Sequence, residues 1–340
     1  GDEVHRIGVI TVPSFYQDYN ARASGAREYT STTADVRRLT IELMKEGIDG
    51  LVLDLRNNGG GHLSEATAMT GLFLPSGPIV QLRDTSGRVE VLEEQAPGPV
   101  YDGPLAVLVN RFSASASEIF AGAIQDYGRG VVVGQQTYGK GTVQNLYPLD
   151  RYAPGPEPRF GQLTMTIGKY YRVTGESTQH RGVIPDIVVP SPVDAHMVGE
   201  STRDTALPWD QIRATRFTPQ GELGDAIELL ALEHERRRSA DPDFLFMLGD
   251  IEAIEARRSR KTVSLNLEQR REEGRRFEAE RLARENERRA ARGLEPVAAL
   301  ADVESEDGPD ALLREAAQVV ADLAAVPETV LARNRVVGAD

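Results

Sequence analysis

The stretch RFSASASEIFAGAIQDYGRG, Arg111–Gly130, follows the compact apolar run GPLAVLVN and sets serines at 113, 115 and 117 before a helical pattern begins. Ser115 is followed three residues later by Glu118, the S-x-x-E capping box, and then by Ile119, Phe120, Ala123, Ile124 and Tyr127 on one helical face. A strand therefore hands over to a helix at Ser115, and two readings of that serine share the geometry. As a cap, its side chain satisfies otherwise orphan helix amides, which is worth ~1 kcal/mol. As a nucleophile, it projects Oγ where backbone N–H groups and the helix dipole face a developing oxyanion. The second reading needs a base, because a serine hydroxyl is inert without one.

The same alternation extends outward. RIGVITV, GLVLDLR, GPLAVLVN and GVVVGQQ have the length and β-branched character of strands, while TADVRRLTIELMKEG and SASEIFAGAIQDYG carry apolar residues at helical spacing. This predicts an α/β layer structure around a buried, largely parallel sheet. GQLTMTIGKYYRVTG and RGVIPDIVVP alternate and are rich in Tyr, Thr and Ile, so they are expected to add antiparallel strands to the same domain. Beyond a polar linker, VDAHMVGESTRDT at 193–205, residues 218–340 are rich in Glu, Arg, Ala and Leu and read as a helical appendage. Within it, the charge run at 271–293 reads as a solvated helix braced by i,i+4 ion pairs.

Composition removes several classes. With 39 Lys and Arg against 52 Asp and Glu, the formal charge of −13 argues against a nucleic-acid binder. The absence of cysteine removes disulfides, thiol nucleophiles and Cys-based zinc sites. The histidines at 5, 62, 180, 196 and 234 show no metal-binding spacing on a helix, so metal is not expected. No stretch approaches the ~20 apolar residues of a membrane span. The opening GDEVHRIGVITVP lacks the pattern of a signal peptide, and a strand begins almost at once, so a fragment is expected.

Two further stretches carry chemistry. GQQTYGKGTVQ, 134–144, nearly matches the phosphate loop G-x-x-x-x-G-K-[ST]. Three features oppose that reading: Gly141 stands where Ser or Thr belongs, TVQNLYPLD reads as strand and turn, and the strand ending at Asp54 precedes the loop. Lys140 is otherwise an exposed loop lysine, or a general base if burial lowers its pKa from ~10.4 toward ~7. DLRNNGGGHLSEA, 54–66, marks a tight turn into a helix, whose glycines equally bring backbone N–H groups to a substrate oxygen. His62 and His180 reach Ser115 only if the fold carries them there.

In this order and spacing, DLRNNGGG, RFSASASEIFAGAIQDYGR, TYGKGTVQ and RGVIPDI resemble the carboxyl-terminal processing proteases, peptidase family S41, and within them the tail-specific branch of bacterial envelopes. The likeness spans about residues 1–190 and continues more loosely through TALPWD at 205–210 and VSLNL at 263–267. It implies an α/β fold: a Clp-protease/crotonase-like serine protease core with a mixed sheet over 1–200, then a mostly helical C-terminal domain over 201–340. The family's amino-terminal region and its PDZ domain, which captures apolar carboxyl termini, are expected to be missing.

The resemblance also implies roles. Ser115 falls on the nucleophile, Lys140 on the general base and Gln144 on the glutamine that orients the lysine. The oxyanion donors fall on the backbone N–H of Ala116 and that of Gly60 or Gly61, and Asp126 matches an acidic supporting residue. Neither metal nor other cofactor is implied. Partners would be protein substrates with apolar C-termini and an envelope adaptor protein, with no nucleic acid. The location would be the bacterial periplasm or the periplasmic face of the inner membrane. A non-catalytic scaffold that keeps the protease fold, and a nucleotide hydrolase built on the 134–144 loop, are the competing readings.

Overall fold

The computed structural model describes residues 4–26, 28–95, 98–152, 160–303 and 310–327. In chain order its elements are β1 (Ile7–Thr11), α1 (Tyr19–Ala23), α2 (Thr32–Lys45), β2 (Gly50–Asp54), α3 (Leu63–Thr70), β3 (Gly77–Asp84), β4 (Val89–Glu94), β5 (Leu105–Val109) and α4 (Ala116–Asp126). There follow β6 (Val131–Gly134), β7 (Thr142–Pro148), β8 (Gln162–Tyr171), β9 (Ile187–Val188), α5 (Gly224–Arg238), α6 (Pro242–Arg258), α7 (Leu267–Ala291) and α8 (Ala311–Ala325).

Two sheets organise the chain. β1, β2, β5, β6 and β9 form a parallel sheet in the order β1-β2-β5-β6-β9. Its central strands are buried along their whole length, as their unbroken apolar runs require in a sheet covered on both faces. The second sheet is antiparallel, in the order β4-β3-β8-β7. It leaves β7 at an edge.

Two strand expectations need revision. RGVIPDIVVP does not join the antiparallel strands: Ile187 and Val188 pair in parallel with Val133 and Gly134 of β6. The short apolar run fits either direction, and Asp186 fixes it by accepting the Val132 N–H at 2.7 Å. The β3–β4 hairpin was not anticipated. Its turn is closed by Asp84, whose Oδ1 accepts from the Ser86 and Arg88 amides.

Alternate residues of the parallel strands point to opposite faces. On one face Leu51, Leu53, Val107 and Val132 pack with Val36 of α2, Met69 of α3 and Phe120 and Ile124 of α4. On the other, Val52, Ala106, Leu108, Val131 and Val133 pack with Leu230 of α5 and Val319, Val320 and Leu323 of α8. The helical region expected as an appendage thus supplies one wall of the core. Arg56 reinforces the junction, binding Asp54 at the end of β2 and Asp310, the N-cap of α8.

The long charged helix behaves as its pattern predicts over most of its length. Arg271–Glu268 and Arg275–Glu272, at i,i+3, and Arg276–Glu280, at i,i+4, are exposed pairs that contribute little in water. Its carboxyl end differs: Glu285 and Arg288 are buried, and Arg288 pairs with Asp243 of α6 at 3.0 Å. Among the described residues, no helix is long and apolar enough to cross a membrane.

Candidate active site

The three serines of the 111–117 turn have separate fates. Ser113 is fully buried, and its Oγ donates to the Leu55 carbonyl at 2.8 Å. Ser117, equally buried, donates to the Asn58 carbonyl at 2.9 Å. Ser115 between them is half-buried, makes no side-chain cap hydrogen bond, and has φ 58° and ψ −112°. Such a backbone costs ~1–3 kcal/mol for a residue with a Cβ and is held by its surroundings. Asn58 supplies much of that hold, since its carbonyl also accepts from the Ala114 amide at 2.9 Å. The capping pattern therefore located the helix start, while the hydroxyl it singled out is left for another use.

The glycine turn after β2 lies directly against this serine. Gly60 has φ +104°, and a Cβ there would stand 2.8 Å from the Ser115 Cβ. Gly61 has φ +147°, and a Cβ would stand 2.1 Å from the Phe15 carbonyl oxygen. Only glycine fits either position. The Gly60 N–H is already engaged, donating to Asn58 Oδ1 at 2.9 Å. Gly59, exposed, lines the adjoining cleft with Ala114 and Lys140. Asn57 and Asn110 lock the two turns together: Asn57 N–H donates to Asn110 Oδ1 at 2.9 Å and Asn110 Nδ2 to Asn57 Oδ1 at 2.8 Å.

Lys140 arrives on the loop between β6 and β7. It is half-buried, and its Nζ donates to Gln144 Oε1 at 3.2 Å, four residues along the chain on β7. Lys140, Gln144, Gly59 and Ala114 line one cleft of about 490 Å³. The loop that resembled a phosphate cradle does bind an anion, but an internal one. Gly139 N–H and Thr137 Oγ1 donate to Glu118 Oε1, while Lys140 N–H and Ser115 N–H donate to Glu118 Oε2. The amides a nucleotide phosphate would need are thus filled by Glu118, and the loop continues into β7 rather than a helix. Both facts contradict the nucleotide-hydrolase reading.

Glu118 is fully buried, and burial pushes its carboxyl up to about 7, while hydrogen bonds from Thr137, Gly139, Ser115 and Lys140 oppose the rise. Four donors on four acceptor positions suit the ionised form. Tyr170 adds a second tie. Its buried hydroxyl lies 3.1 Å from the Ser115 carbonyl and 2.5 Å from the Lys140 carbonyl. Burial raises its pKa well above 10, so it remains a neutral donor.

The remaining sequence candidates are placed elsewhere. Asp126 ends α4, 11 residues from Ser115, which is ~16 Å at helical rise. It pairs with Arg172 at 2.6 Å, and the structure does not bring it to the others. His62 precedes α3 and is exposed. His180 meets the lysine loop through its backbone, its N–H donating to the Gly139 carbonyl at 2.8 Å. Sequence reasoning gave Glu118 only a capping role and missed Tyr170 and Arg111. For Glu118 the signal was present, because the S-x-x-E pattern marks a carboxylate that turns back on the Ser115 amide.

Comparison with known proteins places the chain in a family. Residues 6–189 match peptidase family S41, and residues 193–325 match the C-terminal domain of tail specific protease. The chain is 39% identical over 320 residues to the tail-specific protease of Haemophilus influenzae, covering 93% of this chain and 44% of that protein. It is 40% identical over 162 residues to a carboxyl-terminal-processing protease of Picosynechococcus, covering 47% of this chain and 37% of the relative. Among solved structures it is similar to the photosystem II D1 C-terminal processing protease, with 30% identity and a TM-score of 0.44 over 56% of this chain and 44% of that one. The chain thus spans less than half the length of these relatives. With the serine turn, the glycine turn and the lysine loop gathered round one cleft, and both parts of the chain matched, the protein belongs to peptidase family S41, with the C-terminal domain of the tail-specific proteases.

Proposed function

We propose that this chain carries the catalytic machinery of a serine endopeptidase in which Ser115 is the nucleophile and Lys140 the general base. The observation that carries the reading is the shared anchor: the amides of Ser115 and Lys140 meet on one Glu118 oxygen, beside a cleft that holds the lysine side chain. Neutral Lys140, oriented by Gln144, takes the Ser115 proton as Oγ attacks a peptide carbonyl. The oxyanion is received by the Ala116 N–H at the start of α4 and by an amide of the glycine turn, each worth ~3 kcal/mol in the transition state. Gly59 suits the second role better than Gly60, whose N–H is committed to Asn58. Lys140 then returns the proton to the leaving amine, and water hydrolyses the ester.

The proposed substrates are proteins with accessible, apolar C-termini in the bacterial periplasm, delivered by an adaptor or by a tail-binding domain of a longer protein. The names of the relatives, a tail-specific protease and a carboxyl-terminal-processing protease, support action at the C-terminal tails of proteins. Incubation with an active-site serine reagent, followed by peptide mapping, tests the assignment. Modification of Ser115, lost in Ser115→Ala, is expected. An unmodified Ser115 in a folded chain would favour the scaffold reading.

A further inference from the structure

Residues 193–205 read as a polar linker, but the segment from Gly199 to Leu207 runs along the cleft. Glu200, Arg203, Thr205, Ala206 and Leu207 line it together with Lys140 and Gln144. This strap belongs to the second matched region, not to the peptidase match. The peptidase cleft is therefore walled in part by the C-terminal domain.

The strap is held firmly. Arg111, buried and with burial lowering its pKa, sends Nε to the Val198 carbonyl at 2.6 Å, Nη2 to the Ala195 carbonyl at 3.0 Å and Nη1 to the Thr137 carbonyl. One guanidinium thus joins the serine turn, the lysine loop and the residues that lead into the strap. Contact is so close that a Cβ on Gly199 would stand 2.2 Å from Arg111 Nη2. Further along, the Glu200 amide donates to the Tyr138 carbonyl at 3.0 Å. Gln179 bridges the far end, accepting from the Gly141 amide at 2.8 Å and donating to the Leu207 carbonyl at 2.9 Å. A wall fixed at both ends presents its side chains in a set position, as selectivity requires.

Arg203 is the cation of that wall. It is exposed, its Nε donates to Tyr138 Oη at 3.1 Å, and among the described residues it forms no ion pair. An arginine stays charged at any working pH. Lys140 must be neutral to act as base, so Arg203 is the permanent cation of the cleft lining, where, among the described residues, Glu200 is the one carboxylate and, after the Tyr138 hydroxyl, is close enough to raise the arginine's pKa.

We propose that the strap is a specificity wall and that Arg203 selects an acidic side chain, and rejects a basic one, in the substrate segment crossing the cleft. This rests on the peptidase reading of the site. The test uses protection of Ser115 from a small uncharged serine reagent by peptides capped at both ends, identical except for a central Glu or Lys. The unsubstituted chain is expected to be protected at least tenfold better by the Glu peptide. Arg203→Gln should abolish the preference and Arg203→Glu should invert it, the preference being read in each chain as the ratio of protection by the Glu peptide to protection by the Lys peptide. An unchanged Glu-to-Lys ratio in the variants, or no protection by either peptide, would overturn the wall. Failure of the unsubstituted chain to be labelled at all would instead overturn the peptidase reading beneath it.

Discussion

Ser115 and Lys140, 25 residues apart in the chain, donate their backbone N–H groups to the same atom, Oε2 of Glu118, at 2.7 and 2.9 Å. The position of each therefore depends on one carboxylate. Glu118→Gln keeps the shape but turns an N–H2 group toward amides that are themselves donors, leaving buried groups unpaired at ~1–3 kcal/mol each. The rate of Ser115 modification by a serine reagent should fall about 100-fold, with the circular-dichroism spectrum retained. A rate within threefold of the original would remove Glu118 from the account.

The same group sets a pH dependence. In the folded protein the Glu118 carboxyl is pushed up to about 7 from its ordinary 4.5, so between these values the folded state holds a proton that the unfolded chain releases. Its contribution to stability is present in acid and is lost as pH rises through about 7. The urea midpoint of the unsubstituted protein should fall between pH 5 and pH 8 by more than that of Glu118→Gln. Reactivity of Ser115 should move the other way, rising as the carboxylate ionises and all four donors find acceptors. Parallel profiles in the two proteins would contradict this.

Asp126 is expected to matter for stability rather than chemistry. Its buried carboxylate joins the end of α4 to Arg172, just beyond β8. Asp126→Ala leaves the arginine without its carboxylate, with only the Gln125 and Gly122 oxygens to accept from it, and should cost about 3 kcal/mol in urea unfolding. Well below the melting temperature, Ser115 modification should change less than threefold. A large loss of reactivity in a fully folded variant would restore Asp126 to the site.

The last helix should be inseparable from the sheet. Leu323 of α8 is buried against the same face as Val52, Leu108 and Val133. Leu323→Ala should cost about 2–5 kcal/mol, the range for a large-to-small core change. The loss should appear in a single unfolding transition followed by both tryptophan fluorescence and far-ultraviolet circular dichroism. Two separate transitions, with Trp209 unaffected, would mean that the helices and the sheet fold independently.

Much of this was legible because local chemistry and tertiary role coincide. The apolar runs ending at Asp54, Val109 and Gly134 are strands because nothing polar interrupts them, and burial on both faces demands that composition. Ser115 stands out in the sequence because the same position starts a helix and faces its amides, while the choice of nucleophile over cap comes from the resemblance to the peptidases. The rest depended on distant partners. Nothing local in VDAHMVGESTRDT shows that Arg111 draws it against the lysine loop, since the bonds fall on carbonyls that carry no sequence signature. β9 takes its direction from Asp186 reaching the β6 backbone, and Tyr170 takes its role from its pairing with Leu82 of β3 and from its amide, which donates to the Gly141 carbonyl at 2.9 Å. The near match of TYGKG to a phosphate loop misleads, because the carboxylate its amides meet is Glu118, on a helix that begins 24 residues before the lysine.

The most direct measurement is the rate of Ser115 acylation by an uncharged serine reagent, across pH 5 to 10, in the unsubstituted chain and in Lys140→Ala. The account predicts that modification maps to Ser115 alone and falls at least 1,000-fold in the variant across that range. Lys140→Ala acylated at the unsubstituted rate with the same pH profile would contradict the Ser115–Lys140 pair.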